Sequence, residues 1–144
     1  MHMHHEALDI CVCTALRKAS RALTRLYDDA LAPHGLTTTQ FALMRVLARE
    51  GELVLSTLAS RLVMDRTTLY RAVGPLERQG WIEVHDADRG RKRLALITNL
   101  GRARIGEAET AWRQIQAEVF DRLGAEAWRD LTATSDRVVA LAKS

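Results

Sequence analysis

Leu8, Val12, Ala15, Ala19, Leu23, Leu26 and Ala30 recur at spacings of three and four, with Arg17, Lys18, Arg21 and Arg25 mostly between them. That spacing predicts an amphipathic helix from Leu8 to about Ala32. Pro33-His34-Gly35 ends it, because proline disfavours helix in the residue before it and glycine supports a turn. Thr37-Thr38-Thr39-Gln40 opens a second helix, in which Thr37 caps the first turn and Gln40 reaches back in a capping box. Phe41, Leu43, Met44, Val46 and Leu47 are its apolar content, and Glu50-Gly51-Glu52 stops it. A short β-rich run, Leu53-Val54-Leu55, leads to a brief helix over 56–62 with Leu58, Ala59 and Leu62 inward.

After a turn at Val63-Met64, Asp65 is placed to cap a further helix. Leu69, Val73 and Leu76 recur there at offsets of four and three, on one face, and Arg66, Thr67, Thr68, Tyr70 and Arg71 point elsewhere. Gly80 closes this helix. Trp81-Ile82-Glu83-Val84-His85 is strand-like, 86–90 is a turn, and 91–97 returns as a second strand. Thr98 caps a long helix that Gly124 terminates near Leu123. Ile105, Ala108, Trp112, Ile115 and Val119 give it a heptad-like seam. A last helix over 126–143 carries Trp128, Leu131, Val138, Val139 and Leu141.

The order of these elements predicts a mainly α chain. Two short helices joined by a tight turn make a helix-turn-helix, with the second helix as the reader of a DNA major groove. There an arginine can fork onto guanine, and threonine can touch a thymine methyl or a phosphate. The hairpin that follows is a wing whose tip and return arm carry Arg89, Arg91, Lys92 and Arg93, suited to a phosphate backbone and a narrow minor groove. Taken alone, the polar set on the reader helix is equally an ordinary solvated face; a basic wing beside it favours nucleic acid. Long helices at both ends suggest intertwining with a second copy, against the alternative that they complete a monomer core. The expected organisation is one domain over 1–144, with dimerisation helices at about 8–32 and 99–143 and a winged helix-turn-helix at about 37–98.

The chain has 144 residues, enough to bury a core of its own, and a formal net charge of +3 that permits an acidic partner without requiring one. No apolar run approaches the roughly 20 residues that span a bilayer, and Met1-His2-Met3-His4-His5 lacks the pattern of a secretory signal, so no membrane partner and a cytoplasmic location are expected. Cys11 and Cys13 diverge by about 200° around a helix and are expected as free thiols. His2, His4 and His5 could join them around a metal, but no second ligand cluster is spaced to close such a site. No metal or cofactor is expected, and these histidines read as a frayed terminus or a tag remnant. Pro75 inside the reader helix removes the amide that would bond the Arg71 carbonyl, which predicts a bend near Arg71–Gly74.

These residues resemble the multiple-antibiotic-resistance regulator (MarR) family of winged helix-turn-helix transcription factors. The resemblance is carried by Gly35-Leu36-Thr37 with Gln40-Phe41, by Leu58-Ala59 with Leu62, and by Asp65-Arg66-Thr67-Thr68-Leu69 with Leu76-Glu77-Arg78-Gln79-Gly80. The wing Asp86-Ala87-Asp88-Arg89-Gly90-Arg91 and the closing run from Leu96 through Ile97-Thr98 to Gly101 complete it. It implies a homodimer on a palindromic double-stranded operator, and release of DNA when a small molecule or oxidant respaces the two reader helices. Carried over by position, Arg66, Thr67, Thr68, Tyr70 and Arg71 face bases or phosphates, Arg91 enters the minor groove, and Asp88 braces it. Arg89 and Lys92 join the DNA-contacting set from the wing.

More locally, Cys13, Ala19-Ser20-Arg21 and Tyr27 resemble the organic-hydroperoxide sensors of the same family, although Thr38 stands where a second tyrosine is expected. That implies oxidation of the Cys13 thiolate to a sulfenic acid and then a mixed disulfide with a small thiol. The structural alternative is a small apolar residue on an interface helix. An enzymatic reading, a thiol peroxidase using Cys13, lacks a general base, a metal cluster or a phosphate-binding loop. A winged helix that binds protein instead of DNA would carry acidic or apolar residues in place of Arg66, Arg71 and Arg91. The expected function is a DNA-binding repressor released by a small molecule, with peroxide sensing through Cys13 as the alternative.

Overall fold

The computed structural model describes residues 8–87 and 92–142. Helix α1 (Val12–Leu31) runs into a single 3-10 turn (Ala32–His34), followed by α2 (Thr38–Glu50), β1 (Leu53–Val54), α3 (Leu55–Leu62) and α4 (Arg66–Arg78). Then come β2 (Ile82–Asp86), β3 (Arg93–Ile97), α5 (Asn99–Leu123) and α6 (Ala125–Leu141). The mainly α, winged-helix fold expected from the sequence is the one present.

Three expected helix starts are set by hydrogen-bonded caps. Thr37 Oγ1 accepts from Gln40 N at 3.1 Å while Gln40 Oε1 accepts from Thr37 N at 3.0 Å. Asp65 and Thr98 cap α4 and α5 by accepting from Thr68 N and Gly101 N, without the reciprocal bond. Helix α2 has a second tie, since Thr38 N donates to Asp28 Oδ1 at 2.7 Å and so fixes α1 to its first turn. Two boundaries differ from the periodicity. Helix α1 begins at Val12, not Leu8: Cys11 is extended, and among the described residues of one chain Leu8 and Ile10 stay 81% and 68% exposed. Leu55 belongs to α3 instead of the preceding strand, and it is buried there.

The strands form one antiparallel sheet in the order β1-β3-β2. Leu53 pairs with Ala95 and Val54 with Leu94; on the other side the ladder runs from Ile82↔Ile97 to Asp86↔Arg93. Alternation sets its burial: Ile82, Ala95 and Ile97 face inward. The core joins this face to Leu31, Leu43, Met44, Leu47, Leu58, Leu69 and Leu76, with no buried polar side chain among the described residues. Ala108, Ile115 and Val119 of the α5 seam are buried, and Ile105 and Trp112 pack on the core partly exposed.

One junction holds the winged unit to the long helix. Thr98 Oγ1 accepts from Gly101 N at 3.0 Å and donates to Gly80 O at 2.7 Å, while Thr98 N donates to Trp81 O at 3.0 Å. Gly101 lies so close to this strand that an added Cβ would sit 2.1 Å from Trp81 O. By contrast, α1 gives only Leu31 to the buried set and α6 gives none. Leu16, Leu26, Phe120, Leu131 and Val138 stay 36% to 41% exposed on these helices and on α5.

Candidate nucleic-acid interface

The turn between α3 and α4 aims the reader helix. Val63 occupies the left-handed region at φ 54°, which is strained for a β-branched side chain, and it is held by Val63 N→Ser60 O at 3.2 Å and Met64 N→Ala59 O at 2.9 Å. Asp65 follows in extended backbone, and its Oδ1 accepts from Thr68 N at 2.7 Å. That bond holds the Asp65 carboxyl below its ordinary range, with a smaller contribution from the charge of Arg71. Leu69, Val73 and Leu76 then bury one face, which leaves Arg66, Thr67, Thr68, Tyr70 and Arg71 exposed. The helix ends in a Schellman pair, Trp81 N→Leu76 O and Gly80 N→Glu77 O, both at 3.0 Å, with Gly80 at φ 76°. Pro75 does not end α4: the helix continues to Arg78, and Leu76, just past the proline, is fully buried.

At the wing, Ala87 N donates to Lys92 O at 2.8 Å, and Arg93 Nε lies 3.6 Å from Asp86 Oδ1. Lys92 and Arg93 are exposed. Asp88, Arg89 and Arg91 fall outside the described residues. The base of the wing and the reader helix converge on one cleft of about 380 Å³. Its lining includes Arg66 and Tyr70 of α4, Lys92 and Arg93 of the wing, and Ser56 and Thr57 from the start of α3. Thr67, Thr68 and Arg71 are exposed outside it. Arg66, Arg71 and Lys92 take part in no ion pair among the described residues. The cleft can therefore hold a polyanion from three elements at once, by guanidinium, ammonium and hydroxyl donors.

The hydrophobic pattern of the chain does not mark Ser56 and Thr57 as part of this cleft. The one available signal was two adjacent hydroxyl residues in the first turn of the helix that precedes the reader.

The thiol constellation does not assemble within one chain. Cys11 and Cys13 are exposed and free. Tyr27 lies roughly 20 Å farther along α1 at 1.5 Å per residue, and its phenol donates to Gln116 Oε1 on α5. Burial of Tyr27 raises its pKa. Tyr27 instead lines a cavity of about 480 Å³ between α1, α5 and α6, with Leu16, Ser20, Val119, Trp128 and Leu131. Among the described residues no group of three His, Cys, Asp or Glu is placed to hold a metal, and no helix is long and apolar enough to cross a membrane.

A model of the MarR family matches residues 34–93, the span from the end of the 3-10 turn to the wing. The Mycobacterium tuberculosis transcriptional regulator MosR, crystallised in complex with DNA, is 34% identical and superposes with a TM-score of 0.84, covering 93% of this chain and 97% of that one. TtmR of Methylorubrum extorquens, an HTH-type transcriptional regulator, is 31% identical over 105 residues, which are 72% of this chain and 54% of TtmR. The chain thus spans about half the length of that relative. The homoprotocatechuate degradative operon repressor of Escherichia coli is 28% identical over 145 residues, covering 97% of this chain and 93% of that protein. The chain belongs to the MarR family of winged-helix transcriptional regulators.

Proposed function

We propose that the chain is a homodimeric, sequence-specific repressor whose hold on a palindromic operator is released by a small-molecule effector. The observation that carries this reading is the convergence of Arg66 and Tyr70 with Lys92 and Arg93 on one cleft. In this reading Arg66, Thr67, Thr68, Tyr70 and Arg71 read bases and phosphates in the major groove. Lys92 holds a phosphate beside them, and Arg89 and Arg91, braced by Asp88, reach the minor groove. The half-exposed apolar residues of α1 and α6 support the dimer, and the named repressor among the relatives supports the direction of regulation. The 480 Å³ cavity among the dimer helices α1, α5 and α6, which touches the winged unit at Thr38, is of a size that holds a small molecule, which supports an effector at that junction.

Selection of bound DNA from a random pool tests the reading. Two inverted half-sites about 10 bp apart centre to centre are expected, with affinity falling steeply as salt rises. Recovery of no common sequence, or of single unrepeated half-sites, overturns it. The exposure of Cys13 favours one alternative effector, an organic hydroperoxide. That alternative requires release of the selected operator by hydroperoxide and its loss in Cys13→Ser. A small-molecule effector leaves the Cys13→Ser variant fully responsive.

A further inference from the structure

A second cleft, of about 360 Å³, opens between α2 and α5, away from the residues that line the DNA-facing one. Arg45, Arg49 and Arg102 all line it, and none of the three takes part in an ion pair among the described residues. The one acid in the lining, Glu109, is held by Arg113 at 2.7 Å. Two of the three arginines are pre-positioned. The Arg45 guanidinium stacks 4.2 Å from the Trp112 ring centroid and 5.5 Å from that of Phe41, and Arg102 Nη1 reaches across to Ala48 O at 3.4 Å. Ala48 and Ile105 add apolar lining, and at Gly106 an added Cβ would meet nothing within 4 Å.

Three like charges around one concavity repel each other and raise the local positive potential, and the one acid in the lining is shared with Arg113. Guanidinium groups match carboxylate and phosphate oxygens two at a time, and stacking on aromatic rings removes much of the ordering cost for Arg45. The volume suits a small molecule, and the apolar lining suits one with a short hydrocarbon body. We propose that this cleft binds a small organic dianion, either a phosphate monoester or a dicarboxylate. This is a second site, separate from the cavity between α1, α5 and α6, and it rests on the repressor reading above for its regulatory meaning but not for binding itself.

Isothermal titration calorimetry of the full chain without DNA, near pH 8 where a phosphate monoester is dianionic, tests it with phenyl phosphate, phthalate and benzoate. We expect saturable binding of one dianion per chain, at least 10-fold tighter than benzoate. The tighter of phenyl phosphate and phthalate assigns the ligand as phosphate or carboxylate. Arg49→Gln and Arg102→Gln are each expected to weaken binding at least 5-fold, and Gly106→Leu to abolish it by filling the cleft. Leucine is the better helix former and its Cβ has open space, so this variant should keep its circular dichroism spectrum. The proposal is overturned by no saturable binding of either dianion, by benzoate binding equally well, or by dianion binding that Gly106→Leu leaves intact. Binding of the selected operator is measured in parallel without ligand. Failure there falls on the DNA-binding reading, whereas failure of the titration falls on the cleft.

Discussion

Thr98 serves two neighbours with one hydroxyl, accepting from Gly101 N and donating to Gly80 O. Thr98→Ala removes a helix cap and leaves the carbonyl at the end of α4 short of a donor. A loss of about 1–2 kcal/mol is expected by urea denaturation, with Thr98→Ser retaining most of it. Gly101→Ala should cost more, on the order of 3 kcal/mol, because the new methyl meets the backbone oxygen of Trp81 and not a movable side-chain end. Asp65 gives a pH dependence whose sign is fixed by its lowered pKa. Its capping contribution is complete above the ordinary aspartate range, near 3.8, and is lost as pH falls through the lower folded value. Asp65→Asn should therefore flatten the acid limb of the stability curve, read as denaturation midpoint against pH. At this scale the caps were legible, since Thr37, Asp65 and Thr98 act on amides within three residues of themselves. The Gly101 contact was not, because Trp81 reaches it only after the hairpin has folded back.

In the proposed reading, helix α4 and the wing divide the work of binding. Arg66→Ala is expected to cost about 1–3 kcal/mol of operator affinity and to relax sequence preference at one position. Lys92→Ala should weaken all sequences alike and lower the slope of log affinity against log salt by roughly one. Binding isotherms at several salt concentrations separate the two. Pro75 sits beyond the proposed reading turns but between Val73 and Leu76, both buried. If it also sets the angle of the first turns, Pro75→Ala should change operator affinity as well as helix stability. Element types and order were readable because each long run keeps one period. The ends were less so: Leu8 fits a pattern that finds no cover among the described residues of one chain, and Leu55 belongs to the next element. The site was half readable. Arg66 and Tyr70 announce themselves by residue type, whereas Ser56 and Thr57 join them only through the turn at Val63.

Across the whole molecule, the buried core belongs to the winged unit and to α5, and the two terminal helices contribute almost nothing to it within one chain. Association that covers Leu16, Leu26, Leu131 and Val138 should make stability depend on protein concentration. Leu131→Asp is expected to shift sedimentation velocity toward the monomer and to lower the thermal midpoint.

The Thr98 junction has a mechanical consequence. It pins one end of α5, a rod of about 37 Å at 1.5 Å per residue, to the rear of the reader helix through Gly80 and Trp81. A pivot of only 5° or so at that pin would swing the free end at Leu123 by about 3 Å. With the pin as fulcrum and α5 as the long arm, a shift of a few ångströms among the outer helices would be geared down to a fine tilt of α4 against the DNA it is proposed to read.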